Sequence, residues 1–193
     1  MKDNIIITIN YIIFFSFSLL FFFVPLVLTT VNYELFEYNK MMLVYSLAVI
    51  VGICWFVKSV ICSRLIFQKS VFTIPLLLFL ASQVISTIFS LDKYTSIWGY
   101  YSRFHGGLLS TIAYLILFFA FLSNFPKEKI KNLLFIMLSS CFLVSLYAIA
   151  EHFGIDAKYW VQDVQNRVFS TLGQPNWLAA FLAIMIPDRK SVV

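Results

Sequence analysis

The sequence predicts an all-α protein, a polytopic transmembrane helical bundle of about six spans with the sixth cut short, and three observations predict it. Hydrophobic residues fill 61% of the 193 positions, charged residues only 12%, and mean hydropathy is +0.90. Ordinary soluble domains do not reach that balance. The apolar residues fall into runs of crossing length, since about 20 residues at 1.5 Å rise traverse a hydrocarbon layer of roughly 30 Å. The basic residues between the runs sort by side of the membrane.

The first run, residues 5–28, is Phe-rich and carries Pro25 near its end, where a lost backbone donor and a kink do least harm. No small-residue cleavage pattern follows and more spans do, so it reads as a first span or an uncleaved signal anchor, not a removed leader. A polar link, 29–40, leads to the second run, 41–57. The next link, 58–69, holds Lys58, Arg64 and Lys69 and no acid. The third run, 71–89, has Pro75 in its first turn, where proline is tolerated. A polar hairpin, 90–107, precedes the fourth run, 107–123, which ends at Asn124, Phe125 and Pro126. Lys127, Glu128, Lys129 and Lys131 make the turn to the fifth run, 132–150. The longest polar stretch, 151–176, follows. Pro175 pushes Gln174 towards extended backbone and suits a helix start, so the sixth run begins at Asn176 or Trp177.

Eleven apolar positions from Trp177 would give about 17 Å of helix before Asp188, Arg189 and Lys190 arrived near mid-membrane, where charges are costly. The expectation is therefore that residues 1–187 are the N-terminal transmembrane part of a longer protein and 188–193 a truncated or non-native tail. No internal repeat or low-complexity linker is evident.

A formal charge of +5 and a pI near 9.1 would suggest nucleic acid in a soluble chain. Here the arrangement of charge points elsewhere. With the N-terminus in the cytoplasm, Lys2, Lys58, Arg64, Lys69, Lys127, Lys129, Lys131, Arg189 and Lys190 lie inside. Lys40, Lys93, Arg103, Lys158 and Arg167 lie outside, nine against five, which is the expected cytoplasmic excess. Cys54, Cys62 and Cys141 form no CxxC, and neither a disulfide framework nor a zinc site is supported.

The hairpin gathers Asp92, Lys93, Arg103 and His105 among Tyr94, Trp98, Tyr100, Tyr101 and Phe104. Trp and Tyr concentrate where a half-wet environment satisfies both ring and polar tip, so this is a membrane-surface loop. A guanidinium there offers a planar donor fork that fits the oxygens of a lipid-carried diphosphate. Pairing of Arg103 and Arg167 with lipid headgroups, or with Asp92 and Asp163, is the plainer alternative. His105 and His152 are acid–base candidates, since an unperturbed imidazole titrates near neutrality, though neither lies in a ligand-like cluster. A Glu151–His152 dyad is disfavoured, because adjacent helical residues point different ways. Residues 170–177, STLGQPNW, read as a turn into a helix: Gly173 permits positive φ, and Asn176 is placed to cap or to expose a polar group. There is no GxGxxG and no P-loop.

Two strings carry a resemblance. VFSTLGQPNWLAAFLAIMIP, residues 168–187, preceded by Arg167, resembles the arginine, small-residue, Gly-x-Pro-Asn, Leu-Ala element of the O-antigen ligase and O-antigen polymerase-like membrane proteins. SLDKYTSIWGYYSRFHGGLLSTIAYLILFF, residues 90–119, is similar to the Asp, Ser, Gly, Arg, Gly loop-and-span element before it. Together they cover about a quarter of the chain; the other spans agree only in hydropathy and spacing.

The resemblance implies a multi-pass glycosyltransferase of the bacterial cytoplasmic membrane. Such a protein moves a glycan from an undecaprenyl-diphosphate carrier to a lipid A core, glycan or protein acceptor on the extracytoplasmic face. It implies inverting displacement without metal or cofactor, with no nucleic-acid partner. Arg103 and Arg167 would bind the diphosphate, with Asn176 and His105 in support. The family's catalytic histidine sits in a large later loop, expected beyond residue 193, so this stretch alone is expected to be inactive. A different class remains open, a multi-span transporter or lipid-linked glycan flippase in which the arginines guide substrate and no bond breaks. A membrane scaffold is the third reading.

Overall fold

A computed structural model describes residues 2–29, 34–160, 163, 164 and 166–186. Among them every regular element is helical, with no strand. The helices are α1 (Lys2–Leu26), α2 (Glu37–Ile61), α3 (Thr73–Ile88), α4 (Lys93–Trp98), α5 (Leu108–Asn124), α6 (Ile130–His152) and α7 (Pro175–Met185). Short 3-10 turns occupy Lys127–Lys129, Ala157–Tyr159 and Ser170–Leu172.

Three helical stretches, Lys2–Leu26, Glu37–Ile61 and Lys127–His152, are long and apolar enough to cross a membrane. The other apolar helices are shorter, with 16 residues in α3, 17 in α5 and 11 in α7. Their ends are set by local chemistry. The Ser70 amide donates to Thr73 Oγ1 at 2.9 Å where α3 begins, and α5 stops at extended Phe125 before Pro126. Pro25 lies in the last turn of α1, and Pro75 is the third residue of α3. Hydroxyls inside the apolar helices donate to the carbonyl one turn back, as Ser18 does to Phe14 and Ser145 to Cys141.

The chain divides into two compact units. The first comprises residues 1–20 and 41–130. α5 carries much of its buried surface, including Ser110, Ala113, Leu117, Phe119 and Ala120, and α2 buries Met41, Val44, Ala48 and Val51 at helical spacing. Phe17 of α1 meets Phe121 and Phe125 edge-on at 5.2 and 5.9 Å. Edge-to-face pairs are worth about 0.5–1.5 kcal/mol each beyond area. Such packing matters more between membrane helices, where lipid is as apolar as leucine and hydrophobic burial gives no drive. Lys129 Nζ lies 4.4 and 4.5 Å over the Tyr11 and Phe14 rings.

The second unit comprises residues 21–40 and 131–193. Ser140 Oγ on α6 donates to the Phe22 carbonyl at 2.9 Å, and Asn39 Nδ2 donates to Thr29 Oγ1 at 3.0 Å. Phe36, Trp160 and Phe169 form a ring cluster with centroids 5.1–5.7 Å apart.

The structure refines the elements expected from sequence. The hairpin contains a short helix, α4, and α7 starts at Pro175, a residue early. The proposed tail, 188–193, lies outside the described residues.

Candidate functional site

The sequence-predicted site residues fall in both units, and each unit builds its own locus.

In the first unit the locus is the loop between α3 and α5. Asp92 caps α4: its Oδ1 accepts the Thr95 amide at 3.2 Å, and Oδ2 takes the Thr95 hydroxyl. These bonds, the hydroxyl first, hold the Asp92 carboxyl below its ordinary range. α4 ends at Gly99, φ 86°, whose amide returns to the Thr95 carbonyl at 2.8 Å. The chain then turns on itself. The amides of Arg103 and Phe104 both donate to the Tyr100 carbonyl, at 2.9 and 2.8 Å, and the Tyr100 amide donates to the His105 carbonyl at 3.1 Å.

Two glycines let this loop close. A Cβ on Gly99 would overlap the His105 carbonyl, and one on Gly107 would lie 2.6 Å from the Ile97 carbonyl oxygen and 2.8 Å from the Trp98 carbonyl carbon. The backbones of 97–99 and 105–107 therefore touch directly, which only glycine permits. Phe104 adopts φ 55°. Its carbonyl accepts the Tyr45 hydroxyl of α2 at 2.8 Å, fastening the loop tip to a helix long enough to cross a membrane.

On this frame the Arg103 guanidinium is half-buried, with Cζ 5.7 Å from the Tyr100 ring centre. Tyr100 leans on Tyr101 at 5.1 Å, and Trp98 meets Phe104 edge-on at 6.2 Å. Trp98, Tyr100 and Tyr101 stay exposed, and half-buried His105 sits two residues from Arg103. The result is a fixed cation beside an open aromatic surface. That suits an anion attached to something with apolar faces.

In the second unit the locus precedes α7. The Asn166 amide and Nδ2 donate to the two Asp163 carboxylate oxygens, and the Arg167 amide donates to the Asp163 carbonyl at 3.2 Å. Arg167 itself is exposed. Next comes a strap, residues 168–174, laid against the last turns of α6. Glu151, fully buried, takes the Phe169 and Ser170 amides on Oε2 at 2.9 and 2.7 Å. Ser170, φ 53°, donates its hydroxyl to the Val144 carbonyl at 2.8 Å. Thr171 donates to the Pro25 carbonyl at 2.7 Å, and Lys40 Nζ donates to the Thr171 carbonyl. Irregular backbone beside apolar helices is tolerated when protein partners satisfy it, and here they do. Gly173, φ 80°, turns the chain; a Cβ there would strike the Phe36 ring.

Gln174 is extended at φ −148°, and Pro175 is the first residue of α7. Asn176 is exposed at the second helical position. The cap position belongs to Gln174, which makes no side-chain cap bond, so Asn176 does not serve as the cap. His152 is exposed while Glu151 points inward, so the two neighbours face apart.

Sequence reasoning missed Glu151 as the anchor, since its partners lie 18 and 19 residues away. Tyr45 is separated from Phe104 by 59. α4 had a signal, Asp92 followed three residues later by Thr95. Among the described residues no cluster of metal-ligating side chains occurs. No known protein family matches this chain, and neither a curated protein nor a solved structure does.

Proposed function

We propose that the chain forms part of a membrane glycosyltransferase of the O-antigen ligase type. In this reading six helices cross the bacterial cytoplasmic membrane from a cytoplasmic N-terminus, so both arginine loops face outward. The donor is a glycan on undecaprenyl diphosphate. An acceptor hydroxyl attacks the anomeric carbon, the bond from that carbon to the diphosphate oxygen breaks, and the acceptor proton passes to a base. Negative charge grows on the departing diphosphate, and Arg103 and Arg167 neutralise it as it forms.

The observation that supports this reading is the build of the Arg103 loop. A leaving diphosphate gains most from a donor already in position, because no reorganisation is then needed during reaction. The glycine contact at 99 and 107, the Tyr45 anchor and the Tyr100 ring restrain Arg103 in that way. The neighbouring rings supply a surface on which sugar or lipid CH groups could rest. The sequence similarity around Arg167 extends the same role to the second locus.

Arg103→Ala and Arg167→Ala, introduced into the full-length protein in cells that make the lipid-linked glycan, are each expected to lower transfer about 100-fold or more, the scale of losing one oxyanion donor. The amount of protein in the membrane fraction should not change. Normal transfer by both variants refutes the diphosphate role. Reporter fusions placing either arginine loop in the cytosol refute the topology.

A further inference from the structure

At its C-terminus α2 closes in a Schellman-type turn. The Ser63 amide donates to the Val60 carbonyl at 3.0 Å and the Arg64 amide to the Ser59 carbonyl at 3.2 Å. Ser63 takes the left-handed position, φ 51°, usually left to glycine. The chain then doubles back along the helix. Trp55 Nε1 donates to the Ile66 carbonyl at 2.6 Å, the Ile66 amide donates to Ser59 Oγ at 3.4 Å, and Phe67 stacks on the Trp55 ring.

An open groove of about 540 Å³ runs along this end of the helix, lined by Gly52, Trp55, Phe56, Val60, Arg64 and Leu65 among others. That volume is typical of a small-molecule site. Its walls are apolar, and Arg64 stands at one end. From Gly52 to Val60 the groove follows α2 for about 12 Å, most of the roughly 15 Å of hydrocarbon in one leaflet. The link 58–69 contributes Lys58, Arg64 and Lys69 and no acid.

We propose that this groove is a binding site for one anionic glycerophospholipid, its acyl chain along α2 and its phosphate on the Arg64 guanidinium. Three features select that occupant. The apolar walls would be left uncovered by a free phosphate. The three cations with no acid in the link disfavour a zwitterionic headgroup, whose ammonium they repel. The length covers most of one leaflet of the membrane that α2 is long and apolar enough to cross. Trp55 is pinned through its indole N–H, so the wall exists before lipid arrives and little ordering is needed on binding. The groove shares no residue with the glycan-transfer loci, and neither proposal depends on the other.

The test is native mass spectrometry of the purified chain in detergent, with phosphatidylglycerol or phosphatidylcholine added. One phosphatidylglycerol should be retained with about tenfold preference or more, because both lipids offer Arg64 a phosphate but only phosphatidylcholine brings an ammonium that the cations of the link repel. Arg64→Gln should reduce that preference to near parity. Val60→Trp, at a position 60% exposed, should fill the groove and lower retention of both lipids. Lys131→Gln should change nothing. Equal retention of the two lipids by the unaltered chain overturns the proposal. So does undiminished selectivity in Arg64→Gln, or undiminished lipid retention in Val60→Trp with unchanged helix content by circular dichroism. Glycerol phosphate binding as tightly as the lipid would overturn it too.

Discussion

Removing the Glu151 carboxylate should unfasten the strap ahead of α7. One oxygen, Oε2, satisfies two backbone amides in a fully buried place, at 2.9 Å from Phe169 and 2.7 Å from Ser170. In Glu151→Ala both amides lose their acceptor with no water at hand. A buried donor left unsatisfied costs about 1–3 kcal/mol, so two cost roughly 2–6 kcal/mol. For a chain of this length about 1 kcal/mol moves the unfolding midpoint by about 2–4 °C, so the midpoint in detergent should fall on the order of 10 °C. Glu151→Gln keeps an oxygen in the same place and should recover most of that loss. The assay is thermal unfolding followed by intrinsic fluorescence. An alanine variant as stable as the original, or a glutamine variant as weak as alanine, would refute the account of the strap.

Other outcomes follow from the Arg103 loop. Gly99→Ala and Gly107→Ala should each open it, because a Cβ meets backbone that cannot move aside. Gly106→Ala, with nothing within 4 Å and only a positive φ to oppose it, should lose about 1–2 kcal/mol locally; limited proteolysis between residues 99 and 107 ranks the three. Tyr45→Phe deletes the bond to the Phe104 carbonyl and should weaken the loop by about 1 kcal/mol, seen as faster amide exchange at Arg103 and Phe104. The Asp92 carboxyl is held below its ordinary range, so the cap on α4 is at full strength above that range and is lost as pH falls through the lowered value. Exchange at the Thr95 amide should rise only below the ordinary carboxylate range, and Asp92→Asn should remove that dependence.

Much of the fold was legible because its signals are local. Gly173 permits its own turn, and Pro175 dictates both the extended Gln174 before it and the helix it begins; the structure shows positive φ, extended chain and helix start in that order. Helix ends were legible to within a few residues, since the apolar runs stop where charges begin. α4 was hidden because six residues are too few to show a period. The two loci were half legible. Arg103 and Arg167 stand out as cations in aromatic or small-residue surroundings. What holds them does not stand out, because Tyr45 and Glu151 act through contacts remote in sequence. Glu151 in particular looked like an ordinary polar boundary residue beside His152, and only its burial reveals an anchor.

The strap also bears on the order of assembly. Thr171 closes on Pro25, 146 residues earlier, and is itself held by Lys40, 131 residues earlier. Neither bond exists until residue 171 has left the ribosome. Through synthesis the Pro25 carbonyl and the Lys40 ammonium must wait for their partners in water, at the headgroups or with the insertion machinery. The second unit therefore reaches its final form late, and a ribosome stalled before residue 171 would leave its earliest helices inserted but unlatched.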